Sequence, residues 1–332
     1  MKSRRIRPFK YNTPSLFFVN SPFQALCMLE AIQEFHICDY KVYLVLYEDK
    51  RNTQLLGLLD SNKIEYSIID SKKDRLYYYI TLFFSFRFNK YKRAFIGFYK
   101  TDSFFYYAIR KLSFNSDIVY LDDGAATITL LNGQYERTFF GKIVFGMFRI
   151  TSFLKHISID NLYTIYDGLP NENFNIHICK LSRLKQLLGE KEKAGVLVVG
   201  TNSTMYCRTY NLSLDEYRDS LNQFFLYLVG LYPNDEIVYV PHGRDGSDVP
   251  LSLCKKYGFN YRKVDSTVEL YILDDLKTPT AVYGFTSSAL YNIKKITPSC
   301  QVYNMLLSKD ERLERISEYY ETIGIKTILF GV

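Results

Sequence analysis

Short apolar, β-rich runs alternate with longer segments of helical spacing along most of the chain, and that alternation narrows the fold more than any other feature. In the first half the runs are "SLFFVN", "KVYLVLY", "IEYSIID", "RAFIGF" and "DIVYLDD". Between them, "SPFQALCMLEAIQEF" and "DSFFYYAIRKL" carry apolar residues at helical spacing. A βαβα order predicts a parallel sheet covered by helices. The segment Leu184 to Gly195, "LKQLLGEKEKAG", ends a helical pattern in a charged, Gly-bounded stretch. A new buried strand, "VLVVG", follows it, which marks a linker.

Beyond the linker the alternation resumes. "LDEYRDSLNQFFLYLVGLY" and "VPLSLCKKYG" read as helices, "EIVYVPH" and "CQVYNML" as strands, and "AVYGFTSSALYNIKKI" as a strand running into a helix. The tail "RLERISEYYETIG" reads as a helix with a short apolar end that packs back across the linker. With 332 residues, 47% of them hydrophobic, the chain has enough material for two cores. The expectation is an α/β protein with two Rossmann-like domains, 1–188 and 189–332, whose parallel sheets face a central cleft.

The net charge of +7 gathers in the first half, at Lys2 to Arg7, Lys72 to Arg75 and Arg87 to Lys100, and suits anionic partners. Thirty Tyr and 25 Phe lie partly among these charges, as in Arg75 to Arg93; most must be core. No RNP strand or helix-turn-helix accompanies them, so a nucleic-acid partner is set aside. The six Cys are scattered, with no CxxC pair and no clustered His, which speaks against a zinc site or a disulfide framework and reads as buried thiols in a reducing cytosol. The basic N-terminus lacks the apolar core of an export signal. The longest apolar stretches, Tyr77 to Phe86 and Ile143 to Leu154, are too short to span a bilayer, so any membrane contact is expected to be peripheral.

Three motifs carry chemistry, each at the carboxyl end of an expected strand, where open parallel sheets bind ligands. In "VYLDDGAAT", Asp122 and Asp123 precede Gly124, which lets the backbone turn; the pair reads as a general base or as an ordinary Asp-Gly turn. Mutual repulsion between two buried carboxylates would lift one pKa. In "EIVYVPHGRD", His242 stands beside Gly243 and Arg244, able to donate to a leaving phosphate or to sit in a surface loop. In "AVYGFTSSALYNI", Thr286, Ser287 and Ser288 open a helix, where hydroxyls and amides cap the helix and can bind phosphate.

At these residues the sequence resembles the bacterial sialyltransferases of the GT-B type, most nearly glycosyltransferase family 52, with kinship to families 38 and 80. Those families share a D/E-D/E-G motif, a His-Pro motif and a Ser-Ser or Ser-Thr motif, matched here by Asp122-Asp123-Gly124, His242 and Ser287-Ser288. Glu269, in "DSTVELYI", falls where such enzymes grip the CMP ribose, and Ser21 and Gln24, in "NSPFQ", match their Ser-Pro-x-Gln start. Gly243 departs from the pattern, standing where Pro follows the His, and predicts a looser loop.

The resemblance implies an inverting, metal-independent transfer of a sialic acid or related nonulosonic acid from CMP to a lipid-linked surface oligosaccharide, at the cytoplasmic face of the inner membrane. An acid of the pair is the base, His242 assists the departing CMP, and Gly124, Gly243, Thr286, Ser287, Ser288 and Glu269 belong to the donor site. Ser21, Gln24 and Arg244 become candidates for the acceptor side. The first domain then binds acceptor and the second binds donor; the family admits homodimers. No cofactor or metal is expected, and "LDDL" at Asp274 and Asp275 reads as a solvated edge. A transferase with another nucleotide-sugar donor, and a non-catalytic glycan- or nucleotide-binding subunit, are the alternatives.

Overall fold

The computed structural model describes residues 10–46, 51–70, 91–97, 117–122, 124, 127, 160–168, 174–188, 192–264, 267–274 and 277–330. The chain divides into two units, Met1–Arg183 and Leu184–Val332. The division precedes the charged stretch read as the linker and lies within the helix Ser182–Leu188.

The first unit holds seven strands, β1 Ser15–Val19, β2 Tyr40–Leu46, β3 Tyr66–Asp70, β4 Arg93–Ile96, β5 Asp117–Leu121, β6 Asp160–Thr164 and β7 Phe174–Ile178. They form one sheet in the order β3-β2-β1-β4-β5-β6-β7, every pairing parallel. Helices α1 (Pro22–Glu34) and α2 (Arg51–Ser61) are its described helices ahead of α3 (Ser182–Leu188). Both β1 and β4 are buried at every position, as expected of central parallel strands covered on both faces. Phe17 stacks on Phe95 at 4.5 Å and Phe18 on Tyr43 at 5.3 Å, so these aromatics serve as sheet packing. The "DSFFYYAIRKL" helix and most of the basic, aromatic run from Arg75 to Arg93 lie outside the described residues.

In the second unit, β8 (Glu192–Lys193) pairs with β12 (Lys277–Thr278) as a small separate ladder. The main sheet comprises β9 (Val196–Val199), β10 (Ile237–Val240), β11 (Asn260–Tyr261), β13 (Ala281–Gly284), β14 (Gln301–Leu306) and β15 (Lys326–Leu329). Its order is β11-β10-β9-β13-β14-β15, again parallel throughout. Its helices are α4 (Ser203–Tyr210), α5 (Leu214–Val229), α6 (Val249–Tyr257), α7 (Val268–Asp274), α8 (Ser288–Ile296) and α9 (Glu311–Thr322). A capping box between Ser213 and Glu216 starts α5, and Tyr217, Leu221, Phe224, Phe225 and Leu228 turn one helical stripe into the core. Gly258, at φ 72°, stops α6 with the left-handed residue such an end requires.

Two expectations are corrected. The apolar end of the chain, read as returning across the linker, instead forms β15 beside β14, because α9 supplies the crossover that a further parallel strand needs. Of the six Cys, read as buried, Cys38 is exposed and Cys207 half-buried. Cys38 follows α1 in the turn toward β2, outside the packed layers. Among the described residues no helix is long and apolar enough to cross a membrane.

Candidate active site

Strand β5 runs apolar to Leu121 and delivers Asp122 to the carboxyl edge of the first sheet. Its side chain is 0% exposed and accepts four hydrogen bonds. Oδ1 takes the Gly124 N–H at 2.8 Å and the Thr127 hydroxyl at 2.7 Å; Oδ2 takes the Thr164 hydroxyl at 2.5 Å and the Ile165 N–H at 3.0 Å. The carboxylate thus fastens the end of β5 to the end of β6. Burial pushes its pKa up to about 6, against the pull of the four hydrogen bonds. Gly124 stands at φ 70°, the left-handed turn that brings its N–H back to Oδ1. Asp123 lies outside the described residues.

The order of the first sheet reverses between β1 and β4, so the segment after β1 sits at its switch point. Ser21 caps α1, accepting the Gln24 N–H at 3.3 Å. Gln24 is 0% exposed, and its Oε1 accepts the Asn20 N–H at 2.9 Å. A Cβ on Gly97, after β4, would run into the Gln24 side chain. Ser21 and Gln24, the candidates for the acceptor side, thus hold the backbone of the switch-point loop.

At the carboxyl edge of the second sheet, Val240, Val199 and Gly284 stand level on β10, β9 and β13. His242 and Thr286 each follow two residues later, so they emerge two strand spacings apart, roughly 10 Å. Thr201 occupies the matching position between them. Here the order reverses between β9 and β13, which makes this edge the switch point of the second sheet.

His242 is half-buried, and its Nδ1 accepts the Arg244 N–H at 3.2 Å. With that nitrogen an acceptor, the neutral ring carries its proton on Nε2 and is a hydrogen-bond donor there. Gly243 and Arg244 are exposed. The loop expected to be looser at Gly243 is tied by hydrogen bonds at the next two residues. The Arg244 carbonyl accepts from Asn202 Nδ2 at 3.0 Å, and Asp245 accepts the Ser203 hydroxyl at 2.9 Å and the Ser203 N–H at 3.2 Å. Asn202 and Ser203 were missed in the sequence reading, although "VLVVGTNST" repeats the strand-Gly-polar pattern of "AVYGFTSSA".

Each of the strands β9, β10, β11, β13 and β14 is followed by a helix that begins at this edge, and the three nearest the switch point are α4, α6 and α8. At α4 the first amide is already held by the Asp245 carboxylate, and at α6 the N-cap is the acidic Asp248, which repels an anion. The α8 start carries the uncharged hydroxyls Thr286, Ser287 and Ser288. Ser287 is its N-cap and accepts the Ala289 N–H at 3.3 Å, while its carbonyl accepts from the Tyr320 hydroxyl at 2.9 Å. Thr286 holds φ 49°, costly for a β-branched residue, with its N–H on Asn304 Oδ1 at 2.7 Å and its buried Oγ1 without a hydrogen-bond partner among the described residues. Such strain is concentrated where ligands bind. Glu269, on α7, is buried, and its Oε1 accepts from Asn292 Nδ2 of α8 at 2.6 Å. The second unit thus brings His242 and Thr286–Ser288 to one sheet edge and ties Glu269 to the helix those hydroxyls open. Among the described residues no group of three His, Cys, Asp or Glu is placed to hold a metal ion.

No protein-family model and no curated protein matches the sequence. Solved structures do match. A Photobacterium 2,6-sialyltransferase, in a ternary complex with CMP and lactose, aligns over 96% of this chain and 78% of its own with a TM-score of 0.52 at 11% identity. A UDP-N-acetylglucosamine 2-epimerase aligns over 97% and 85%, with a TM-score of 0.53 at 13% identity. A putative enzyme of the same kind from Listeria monocytogenes aligns over 90% and 80%, at 0.51 and 10%. The chain has the α/β fold of two parallel-sheet units found in GT-B glycosyltransferases and in nucleotide-sugar epimerases.

Proposed function

We propose that this chain is an inverting glycosyltransferase that moves a sialic acid, or a related nonulosonic acid, from its CMP-activated form to a bacterial surface oligosaccharide. The observation that carries the reading is the switch-point edge of the second sheet. There a His with its proton on Nε2 shares one edge with the α8 N-terminus, whose Thr286 is strained and carries an unpartnered hydroxyl. That set can stabilise charge on a leaving phosphate.

In the reaction, the acceptor oxygen bonds to the anomeric carbon from the face opposite CMP, and the bond from that carbon to the phosphate oxygen breaks with its electron pair going to CMP. The acceptor proton passes to a carboxylate. Asp122 is enclosed by four donors, so the base role falls to Asp123. His242 Nε2, the α8 amides and the hydroxyls of Ser287 and Ser288 meet the phosphate; Glu269, steadied by Asn292, accepts from the ribose hydroxyls. A monophosphate leaving group served by these donors requires no metal. The acceptor is lipid-linked and met at the inner face of the membrane.

A second reading, transfer or epimerisation with a UDP-sugar, draws on the UDP-N-acetylglucosamine 2-epimerases, whose fold agrees with this one as closely as the sialyltransferase's does. Thermal-shift titration separates the two. At a hundredfold excess over Kd a ligand adds about 2.7 kcal/mol of stability, several degrees in midpoint. CMP is expected to give that shift and UDP and GDP little. A shift with UDP and none with CMP moves the assignment to the second reading.

A further inference from the structure

We propose that Asn202, Ser203 and Asp245 are positioning residues that lock the imidazole of His242 into its Nε2–H form, an inference that rests on His242 donating to the leaving phosphate.

The loop from Pro241 to Asp248 contains Gly243 and Gly246 and would have wide conformational freedom if left to itself. Two consecutive residues in it are gripped on either side. Arg244 gives its N–H to His242 Nδ1 at 3.2 Å, while its carbonyl accepts from Asn202 Nδ2 at 3.0 Å. Asp245 gives its N–H to the His242 carbonyl at 2.8 Å, while its carboxylate accepts from the Ser203 hydroxyl and N–H and from the Ser247 N–H at 3.3 Å. Asn202 is itself fixed, because its Oδ1 accepts the Met205 N–H at 2.9 Å as the N-cap of α4. A continuous set of bonds therefore runs from the start of α4 to the ring of His242. The negative Asp245 also meets the favourable end of the α4 dipole.

The chemical consequence lies in the Arg244 amide. While the clasp holds it against Nδ1, a proton on Nδ1 would set donor against donor, so the neutral ring keeps its proton on Nε2. When the clasp opens, that preference goes, and part of the His242 population has an unprotonated Nε2 that cannot donate.

The protein, labelled with 15N at its four His, reads this directly, since long-range 1H–15N spectra distinguish the two tautomers for each ring. Asn202→Asp keeps an N-cap for α4 but turns the donor facing the Arg244 carbonyl into an acceptor. Ser203→Ala removes one grip on Asp245, and Ser203→Thr restores a hydroxyl. The wild type and Ser203→Thr are expected to show His242 as Nε2–H. Asn202→Asp and Ser203→Ala are expected to show a mixture, with the His177 signals unmoved. In the same variants kcat for transfer falls about tenfold, less than the ~10²-fold or more of a fully lost proton donor because part of the population keeps Nε2–H, and donor KM stays within about twofold. An unchanged His242 tautomer in both variants overturns the proposal, as does a shifted tautomer with unchanged kcat. If the wild type shows the locked tautomer but transfers no sugar from any CMP donor, the function assigned to the site fails while the clasp stands.

Discussion

Asp123→Asn is expected to lower the rate of transfer from a CMP donor by about 10³-fold, the middle of the range for a lost general base, with little change in unfolding midpoint. A base must reach the acceptor proton, and Asp122 is enclosed, with both oxygens occupied by Gly124, Thr127, Thr164 and Ile165. On the proposed reaction the enclosed acid serves as the anchor and the base role falls to its neighbour. Initial rates of purified variants, with circular dichroism as a control for folding, check the division. A fully active Asp123→Asn enzyme would remove the base assignment.

Asp122→Asn is expected to reveal the anchor through the pH dependence of stability. The amide replaces one acceptor oxygen with a donor; the threonine hydroxyls can turn to meet it, but a backbone N–H cannot, and an orphaned buried donor costs about 1–3 kcal/mol. At pH 4 the wild type should therefore be the more stable. Burial raises the Asp122 pKa from its ordinary 3.8 to about 6. The folded protein holds that proton more tightly than the unfolded chain, so this contribution is full below pH 4 and is lost as pH rises through 6. The wild type's advantage should shrink by about 2 kcal/mol between pH 4 and 7 and level off above pH 7, bringing the variant to parity or beyond. Denaturant titrations of both proteins from pH 4 to 7.5 measure it. An advantage that grows with pH would mean that the four donors outweigh the burial.

Much of this was legible in the sequence because buried parallel strands are written as uninterrupted apolar runs. "SLFFV", "RAFI" and "IVYV" could be recognised alone, and Asp122, His242 and Thr286 were found by standing just past such runs. Strands β6 and β7 were missed because "DNLYT" and "FNIHI" break their apolar runs with polar residues; Asn161, Asn175 and His177 hydrogen-bond one another across the pair. With β6 unseen, Thr164 could not be recognised as the partner of Asp122, 42 residues away. The roles of Ser21, Gln24 and Asp122 were legible as to place but not as to exposure. Their patterns are those of ligand-facing residues, and only packing shows their side chains occupied with the protein's own backbone and hydroxyls. Gly243 taught the reverse: a residue that loosens a loop locally was offset by Asn202 and Ser203, about 40 positions earlier.

The most direct measurement is CMP release by the purified wild-type protein incubated with CMP-N-acetylneuraminic, CMP-legionaminic or CMP-pseudaminic acid and galactose-terminated acceptors, in excess EDTA. Acceptor-dependent release of CMP from at least one of these donors is expected, undiminished by the chelator, with the sugar joined to the acceptor in inverted configuration. No release from any of the three donors, with turnover of a UDP-sugar under the same conditions, would contradict it.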